Sequence, residues 1–353
     1  MLRIEGSLKM EYCKLGRTDI SVSAIGAGTM LWLPNKKLSK VDLYKTYQRC
    51  LDNGMDFFDT AEVYGNGISE KLLGEFKKRD GRKIKIATKF APPSSMNPAA
   101  PKRKNVSKDN PAALLEALDG SLERLGVDCI DLYQVHTPPK NGRIAEYMDV
   151  MAQAVKAGKV RAVGVCNFSK AQIKEAWEAL EKQGIPLATA MAGYNILRRY
   201  PESNGVFDIC RKLGITLIPY APLAEGTLTG KYRSGEKKVP MQYTVTTYFG
   251  HLDLTKEHND NVPFVKRLFS KPREVDIKKM EPLMSVLDEI AKAHNKTIAQ
   301  VALNWLLSAD DIHILPIPGT KTMKQADDNA GVAGWRLSQE ERTRINHVEE
   351  QTR

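Results

Sequence analysis

Four side chains with complementary acid–base chemistry stand where apolar, strand-like runs give way to loops. Asp59-Thr-Ala-Glu-Val-Tyr64 follows Met55–Phe58 directly, Lys89 closes Lys83-Ile-Lys-Ile-Ala-Thr-Lys89, and His136 closes Asp131-Leu-Tyr-Gln-Val-His136. In a barrel of parallel strands, such ends face one common cleft. An acid, a phenol, an amine and an imidazole gathered there make a proton-donating site and point to an enzyme. The chemistry they suit is hydride addition to a carbonyl, which proceeds readily when the developing alkoxide is protonated. Tyr64 is the expected proton donor, provided its pKa, normally about 10, is drawn toward neutrality. Lys89 is the ammonium expected to draw it down. Asp59 would keep Lys89 charged and oriented, and His136 would hydrogen-bond the substrate oxygen.

Each residue alone has a plainer role. Asp59 suits a turn or N-cap, Lys89 a snorkelling strand end, Tyr64 an ordinary loop and His136 a core position. Their joint placement favours the catalytic reading. A Schiff-base lyase built on Lys89 needs an uncharged lysine, and Asp59 as its partner argues against that.

The elements that must position these residues follow from periodicity. Strands are expected at roughly 24–28, 56–60, 84–89, 130–136, 160–166, 188–193, 215–220 and 312–317, with helical patterns between them. Leu114, Leu115, Leu118, Leu122 and Leu125 form one helical stripe, and Ile173, Trp177 and Leu180 another. Gly54, Gly126, Gly158, Gly184 and Gly214 follow helices, as left-handed caps require. Eight strands alternating with helices imply a parallel α/β sheet closed into a (β/α)8 TIM barrel. Residues 11–23 read as a hairpin cap for the barrel bottom. Residues 231–280 form a long irregular loop after strand seven whose aromatics are expected to close over substrate. Ser338-Gln-Glu-Glu begins a capped terminal helix.

With 353 residues and 42% hydrophobic content, the chain is expected to form a single domain over 1–353. Its core would span about 10–330, with a C-terminal helical extension over 331–353. No apolar stretch reaches 18 residues and the start lacks a signal-peptide core, so no membrane partner and a cytoplasmic location are expected, or an organelle after removal of a transit peptide. The five cysteines are scattered and the six histidines lack ligand spacing, which predicts free thiols and no metal. The net charge of +11 is spread among 42 acidic residues without a nucleic-acid reader motif, so it favours small anionic ligands and excludes nucleic acid. A monomer or weak homo-oligomer is expected.

These motifs together resemble the aldo-keto reductase family, from about Met10 to Asn329. Phe57-Phe-Asp-Thr-Ala-Glu-Val-Tyr64-Gly is similar to its signature around the catalytic Asp and Tyr, and Thr88-Lys89 and Gln134-Val-His136 stand where its Lys and His belong. Ala157-Gly-Lys-Val-Arg-Ala-Val-Gly-Val-Cys-Asn-Phe-Ser169 resembles its fifth-strand signature, and Ile317-Pro-Gly-Thr-Lys321 with Gln325, Asp328 and Asn329 its cofactor clamp.

The resemblance implies NADPH/NADP+ as cofactor, lying across the strand ends without a Gly-x-Gly-x-x-Gly turn. It places Gly28, Thr29, Met30 and Asp59 near the nicotinamide end, Asn167 at the carboxamide and Tyr220 stacked on the ring. Trp32, Tyr64 and His136 would line the substrate side. Ala221, Pro222, Leu223, Gly226, Leu228 and Lys231 would wrap the pyrophosphate, and Gly319, Thr320, Lys321, Gln325, Asp328 and Asn329 would grip the adenosine 2′-phosphate and adenine. Cys166 stands in place of the usual Ser, Met191 in place of the usual Gln, and Thr322 where a second basic residue is common. These departures imply a looser nicotinamide anchor and a milder preference for NADPH. The implied activity is reduction of an aldehyde or ketone to the alcohol, or the reverse. The alternative is a cofactor-binding regulatory subunit of the channel beta-subunit type with little turnover.

Overall fold

Paired apolar positions make the first described element a hairpin. β1 (Tyr12–Lys14) pairs antiparallel with β2 (Ser21–Ser23), Cys13 opposite Val22. The computed structural model describes residues 10–92, 110–139, 142–233, 278–309 and 311–352. Leu15, Ile20 and Val22 of the hairpin are buried together with Phe57, Leu132, Ala188 and Ile218. Gly16 N donates to Thr216 Oγ1 at 2.8 Å, so the hairpin plugs the end of the barrel where strands begin.

Seven parallel strands follow in sequence order: β3 (Ala27–Gly28), β4 (Phe57–Asp59), β5 (Lys85–Phe90), β6 (Ile130–Val135), β7 (Val160–Cys166), β8 (Leu187–Gly193) and β9 (Thr216–Tyr220). The eighth expected strand, 312–317, is an extended segment rather than a continuous ladder. It nevertheless bonds both free edges. Toward β9, Leu217 N donates to His313 O and Leu315 N to Leu217 O, both at 2.9 Å; toward β3, Gly26 N donates to Pro316 O at 2.9 Å and Gly28 N to Pro318 O at 3.0 Å. Pro316 and Pro318 lack an N–H, so this edge accepts bonds and returns none from those two positions. The barrel closes all the same, and the architecture is the expected (β/α)8 barrel.

Helices α1 (Lys40–Asp52), α2 (Ile68–Asp80), α3 (Ala113–Leu125), α4 (Ile144–Lys156), α5 (Lys170–Glu181), α6 (Tyr200–Ser203) and α7 (Val206–Leu213) lie between the strands. The leucine stripe folds as α3, with Leu114, Leu118 and Leu125 buried, and Ile173 and Leu180 face inward on α5. Gly126 and Gly214 cap α3 and α7 (Val206–Leu213) at φ values of 61° and 65°, conformations that a side chain would strain. The terminal helix, Gln339–Thr352, begins with the expected reciprocal cap: Glu341 N donates to Ser338 Oγ at 3.1 Å and Ser338 N to Glu341 Oε2 at 2.8 Å. Among the described residues, no helix is long and apolar enough to cross a membrane. Most of the 231–280 loop, with its expected closing aromatics, lies outside the described residues, as do 93–109 and 140–141.

Candidate active site

β4 ends at Asp59, β5 carries Lys89 one residue before its end, and His136 stands immediately after β6, so neighbouring strands deliver three of the four expected groups to one barrel mouth. The turn after β4 brings the fourth. Lys89 Nζ donates to Asp59 Oδ1 at 2.6 Å, to Thr60 O at 2.8 Å and to Tyr64 OH at 3.4 Å. The His136 ring meets Tyr64 edge to face, with centroids 6.1 Å apart and planes at 81°. Lys89 is 0% exposed and Asp59 1%, so the ion pair is sealed beneath the phenol.

Burial raises the Asp59 carboxyl above its ordinary range, against the pull of Lys89. Lys89 stays firmly protonated: burial opposes its charge, but Asp59 and Tyr64 more than compensate and hold it above the usual lysine value. Burial, helped by the Lys89 charge, drives His136 down to about 3, which leaves a neutral imidazole able to donate one hydrogen bond.

One expectation is corrected. Tyr64 is not drawn toward neutrality; burial outweighs Lys89 and pushes it up to about 12. The phenol therefore keeps its proton at ordinary pH. A proton donor needs that form, and an alkoxide is basic enough to take the proton from it.

The other expected residues surround this mouth. Thr29 donates through N and Oγ1 to Asp59 O, both at 2.9 Å, which ties the loop after β3 to the end of β4. Gly28 pairs with both Asp59 and Gly319, so the segment expected at the nicotinamide end touches the segment expected to clamp the adenosine, and Met30 nearby in the chain is 43% exposed. Asn167 (φ 62°) donates to His136 O at 3.1 Å and to Cys166 Sγ at 3.2 Å, and accepts from Tyr220 OH at 2.9 Å. That chain links β6, β7 and β9 across the mouth. Cys166 and Met191 are register partners within the barrel interior, and burial lifts the Cys166 thiol to about 12, which makes it an inert thiol rather than a nucleophile.

Trp32 departs from expectation. It is fully buried, its ring packs against Phe58 and Phe76, and its Nε1 donates to Thr320 O at 2.7 Å. It therefore belongs to the core and does not line a substrate surface. The expected backbone wrap is also altered. In the loop after β9, Ala224 N donates to Ala221 O, and both Gly226 N and Leu228 N donate to Leu223 O. These amides hold the loop's own shape, and Leu228 is fully buried. Ala221, Ala224 and Glu225 sit at positive φ, and Asn195 Nδ2 braces Ala221 O at 2.9 Å beside the buried Pro222. Lys231 is exposed and its ammonium lies against Gly226, so it is the group of this loop best suited to an anion.

At the clamp, Thr320 and Asn329 are buried and joined by a 2.9 Å bond from Asn329 Nδ2 to Thr320 Oγ1. Gln325 Oε1 accepts from Lys321 N at 2.9 Å and the Lys321 side chain is half-buried; two residues earlier, at Gly319, a Cβ would meet nothing within 4 Å. Asp328 is engaged by Lys324 at 2.9 Å. A dinucleotide's phosphates suit the two lysines by charge and the open glycine by space.

Several residues at this mouth carried no signal in the sequence. Thr60 supplies a carbonyl to Lys89. Glu225 is driven up to about 7 by burial, against the charge of Arg198. The Arg198 guanidinium lies over Gly193, where a Cβ would meet both its Nη1 and the Tyr220 ring. The Arg198-Arg199 pair reads as ordinary surface charge, and only the position of the preceding strand end would have marked it. Among the described residues, no cluster of His, Cys, Asp and Glu could hold a metal ion, and the described thiols are free.

Comparison with known proteins shows the family. A family model described as the aldo/keto reductase family matches residues 24–350. The chain is 32% identical to "Pyridoxal reductase, chloroplastic" of Arabidopsis thaliana, over 95% of its own length and 85% of that protein. It is 34% identical to "Aldo-keto reductase yakc [NADP(+)]" of Schizosaccharomyces pombe, over 81% and 76%. A crystal structure of the thermostable aldo-keto reductase Tm1743 with the inhibitor epalrestat superposes with a TM-score of 0.70 at 26% identity, covering 96% of this chain and all of that one.

Proposed function

This chain belongs to the aldo/keto reductase family, and from that premise we propose that it is an NADPH-dependent reductase of aldehydes or ketones, working as one barrel domain with Tyr64 as proton donor. The observation that carries the reading is the sealed chain Asp59–Lys89–Tyr64, with the neutral His136 against the phenol. When bound, the nicotinamide would supply hydride. Tyr64 would pass its proton to the forming alkoxide, and Lys89, 3.4 Å away, would stabilise the phenolate left behind. Asp59 keeps Lys89 charged, so the cation is already in place when the proton leaves. His136 Nε2, as the donor of a neutral ring, would orient the carbonyl oxygen.

Lys231 and Lys321 would hold the cofactor's phosphates, and Lys321 would distinguish NADPH from NADH. Asn167 and Tyr220, already bonded to each other, would present a fixed surface to the nicotinamide. The alternative, a cofactor-binding regulatory subunit with little turnover, needs the ion pair for stability alone and gives no task to the phenol above it. Steady-state loss of NADPH absorbance with a panel of aldehydes and ketones tests the proposal. Turnover that vanishes in Tyr64→Phe while NADPH binding persists is the expected result, and no turnover with any carbonyl compound would sink it.

A further inference from the structure

Behind the four groups lies a second polar layer that the reaction scheme does not use. The catalytic turn after β4 ends at Gly67, and α2 (Ile68–Asp80) starts there with Ser69 and Glu70, both 0% exposed. A serine and a glutamate at the start of a helix normally face water. Here Ser69 Oγ lies 2.7 Å from Thr29 Oγ1, accepts from Thr60 Oγ1 at 3.0 Å and donates to Thr29 O at 3.0 Å. Thr29 in turn bonds Asp59 O, and Thr60 is the residue whose carbonyl receives Lys89. Glu70 reaches the other way. Its Oε1 accepts from Thr88 Oγ1 at 2.6 Å, and its Oε2 from Arg124 Nε at 2.7 Å. Thr88 immediately precedes Lys89, so its side chain points out of the barrel where that of Lys89 points in.

The space for Arg124 is kept open by glycine. A Cβ on Gly67 would lie 2.7 Å from Arg124 Cδ, and one on Gly120 would lie 2.9 Å from Arg124 Nη1. Arg124 also donates to Ser121 Oγ of its own helix at 3.1 Å, and its bond to Glu70 ties α3 to the base of the turn. Buried charge is retained at a cost unless it is paired and bonded. These groups satisfy one another and converge on the backbone beside Asp59, Thr60 and Lys89.

We propose that Ser69 and Glu70, with Thr88 and Arg124, are positioning residues that fix the Tyr64 turn and the Lys89 strand end at one separation. This rests on the reductase reading and extends it. Lys89 touches Tyr64 at the long end of hydrogen-bond reach, so a small slip of either element breaks the contact. A misplacement of that order costs about tenfold or more in rate.

The test compares wild type, Thr88→Val, Thr88→Ser and Ser69→Ala in steady-state carbonyl reduction, NADPH titration and hydrogen exchange of residues 60–67. Thr88→Val removes only the hydroxyl that Glu70 holds. It should lower kcat about tenfold while the KM and Kd for NADPH stay within about twofold, because a rate loss without a binding loss marks the chemical step. Thr88→Ser keeps the hydroxyl and should restore kcat to within about twofold of wild type. Ser69→Ala should lower kcat in the same way, and exchange across 60–67 should quicken in both Thr88→Val and Ser69→Ala. The inference falls if Thr88→Val keeps kcat, if Thr88→Ser is as slow as Thr88→Val, or if the loss appears in NADPH affinity alone. A wild type without turnover would remove the reductase reading instead. Exchange across 60–67 would then judge the clamp, and unchanged protection in both variants would overturn it.

Discussion

Replacing Lys89 by Met should unfold the protein more easily for a reason separate from its loss of activity. The lysine is fully buried and bonded to Asp59 at 2.6 Å, and Asp59 Oδ2 has no hydrogen-bond partner among the described residues. Lys89→Met therefore strands a carboxylate in the barrel interior, and breaking a buried pair in this way costs about 3–5 kcal/mol. For 353 residues the entropy of unfolding is about 0.7 kcal/mol/K, so the melting temperature should fall by about 4–7 °C. The stranded acid also sets a pH dependence. Burial already raises Asp59, and without Lys89 nothing comparable offsets it. A carboxyl whose folded pKa exceeds its unfolded value loses stability as pH rises between the two. The deficit of Lys89→Met should accordingly be smaller at pH 5 than at pH 8. Asp59→Asn/Lys89→Met removes both charges and should recover much of the melting temperature and lose the pH dependence, yet remain inactive. Calorimetry of the wild type, both single variants and the double variant at the two pH values measures this cycle. Strictly additive losses would show that the pair is not coupled, and the electrostatic account of the site would fail with it.

Tyr64→Phe removes one oxygen whose described contact is the 3.4 Å bond from Lys89, so kcat for carbonyl reduction should fall by about 10²-fold or more, with NADPH binding by fluorescence titration nearly unchanged. Because Tyr64 lies at about 12 and must be protonated to donate, reduction should show no alkaline loss from this group between pH 7 and 9; a fall with a midpoint in that interval would contradict the burial argument. His136, held down to about 3, stays neutral across pH 5–8, and a kcat profile with an inflection near the ordinary histidine value of about 6.5 would show that its ring is charged after all. Lys321→Ala should remove most of any preference for NADPH over NADH, and equal dissociation constants for the two cofactors in the unmodified protein would remove Lys321 from the 2′-phosphate.

The parts of this protein that sequence reveals are those whose cause is local. A leucine every three or four residues makes α3, and a polar residue at the end of an apolar run makes a strand end. The acid, amine and imidazole of the site were visible for that reason, each at the end of its own strand. The eighth strand is less regular than its pattern suggests because Pro316 and Pro318 read as extended chain but cannot donate, so toward β3 those two positions only accept, while Leu315 N still donates to β9. Trp32 is less legible still, because a tryptophan near a strand end suits a cleft or a core equally well, and the 2.7 Å bond to Thr320 O that decides it comes from 288 positions away. The pKa of Tyr64 follows the same pattern: the neighbouring charge is legible in the sequence, whereas the larger effect, burial, depends on everything packed around the ring.

Ser69, Glu70 and Arg124 show the limit most sharply. On paper they are ordinary polar members of two helices: Ser69 and Glu70 stand three or four residues before Leu72 and Leu73, which turns them toward the inner face, but nothing in that spacing names Thr88 or the half-buried Arg124 as their partners. They become a unit because Gly67 and Gly120 let an arginine pass between α2 and α3, and because β5 presents a hydroxyl at its end. The charges that perform chemistry lie at the ends of strands, where their spacing announces them. The charges that hold those ends still lie one layer out, where only the fold brings them together. A substitution read as conservative surface change, Arg124→Lys for instance, would lose the donor that binds Glu70 and retain the charge. That exchange should slow turnover while leaving cofactor affinity in place. Full activity in Arg124→Lys would mean that charge alone, without the geometry of the guanidinium, is enough to hold Glu70 against Thr88.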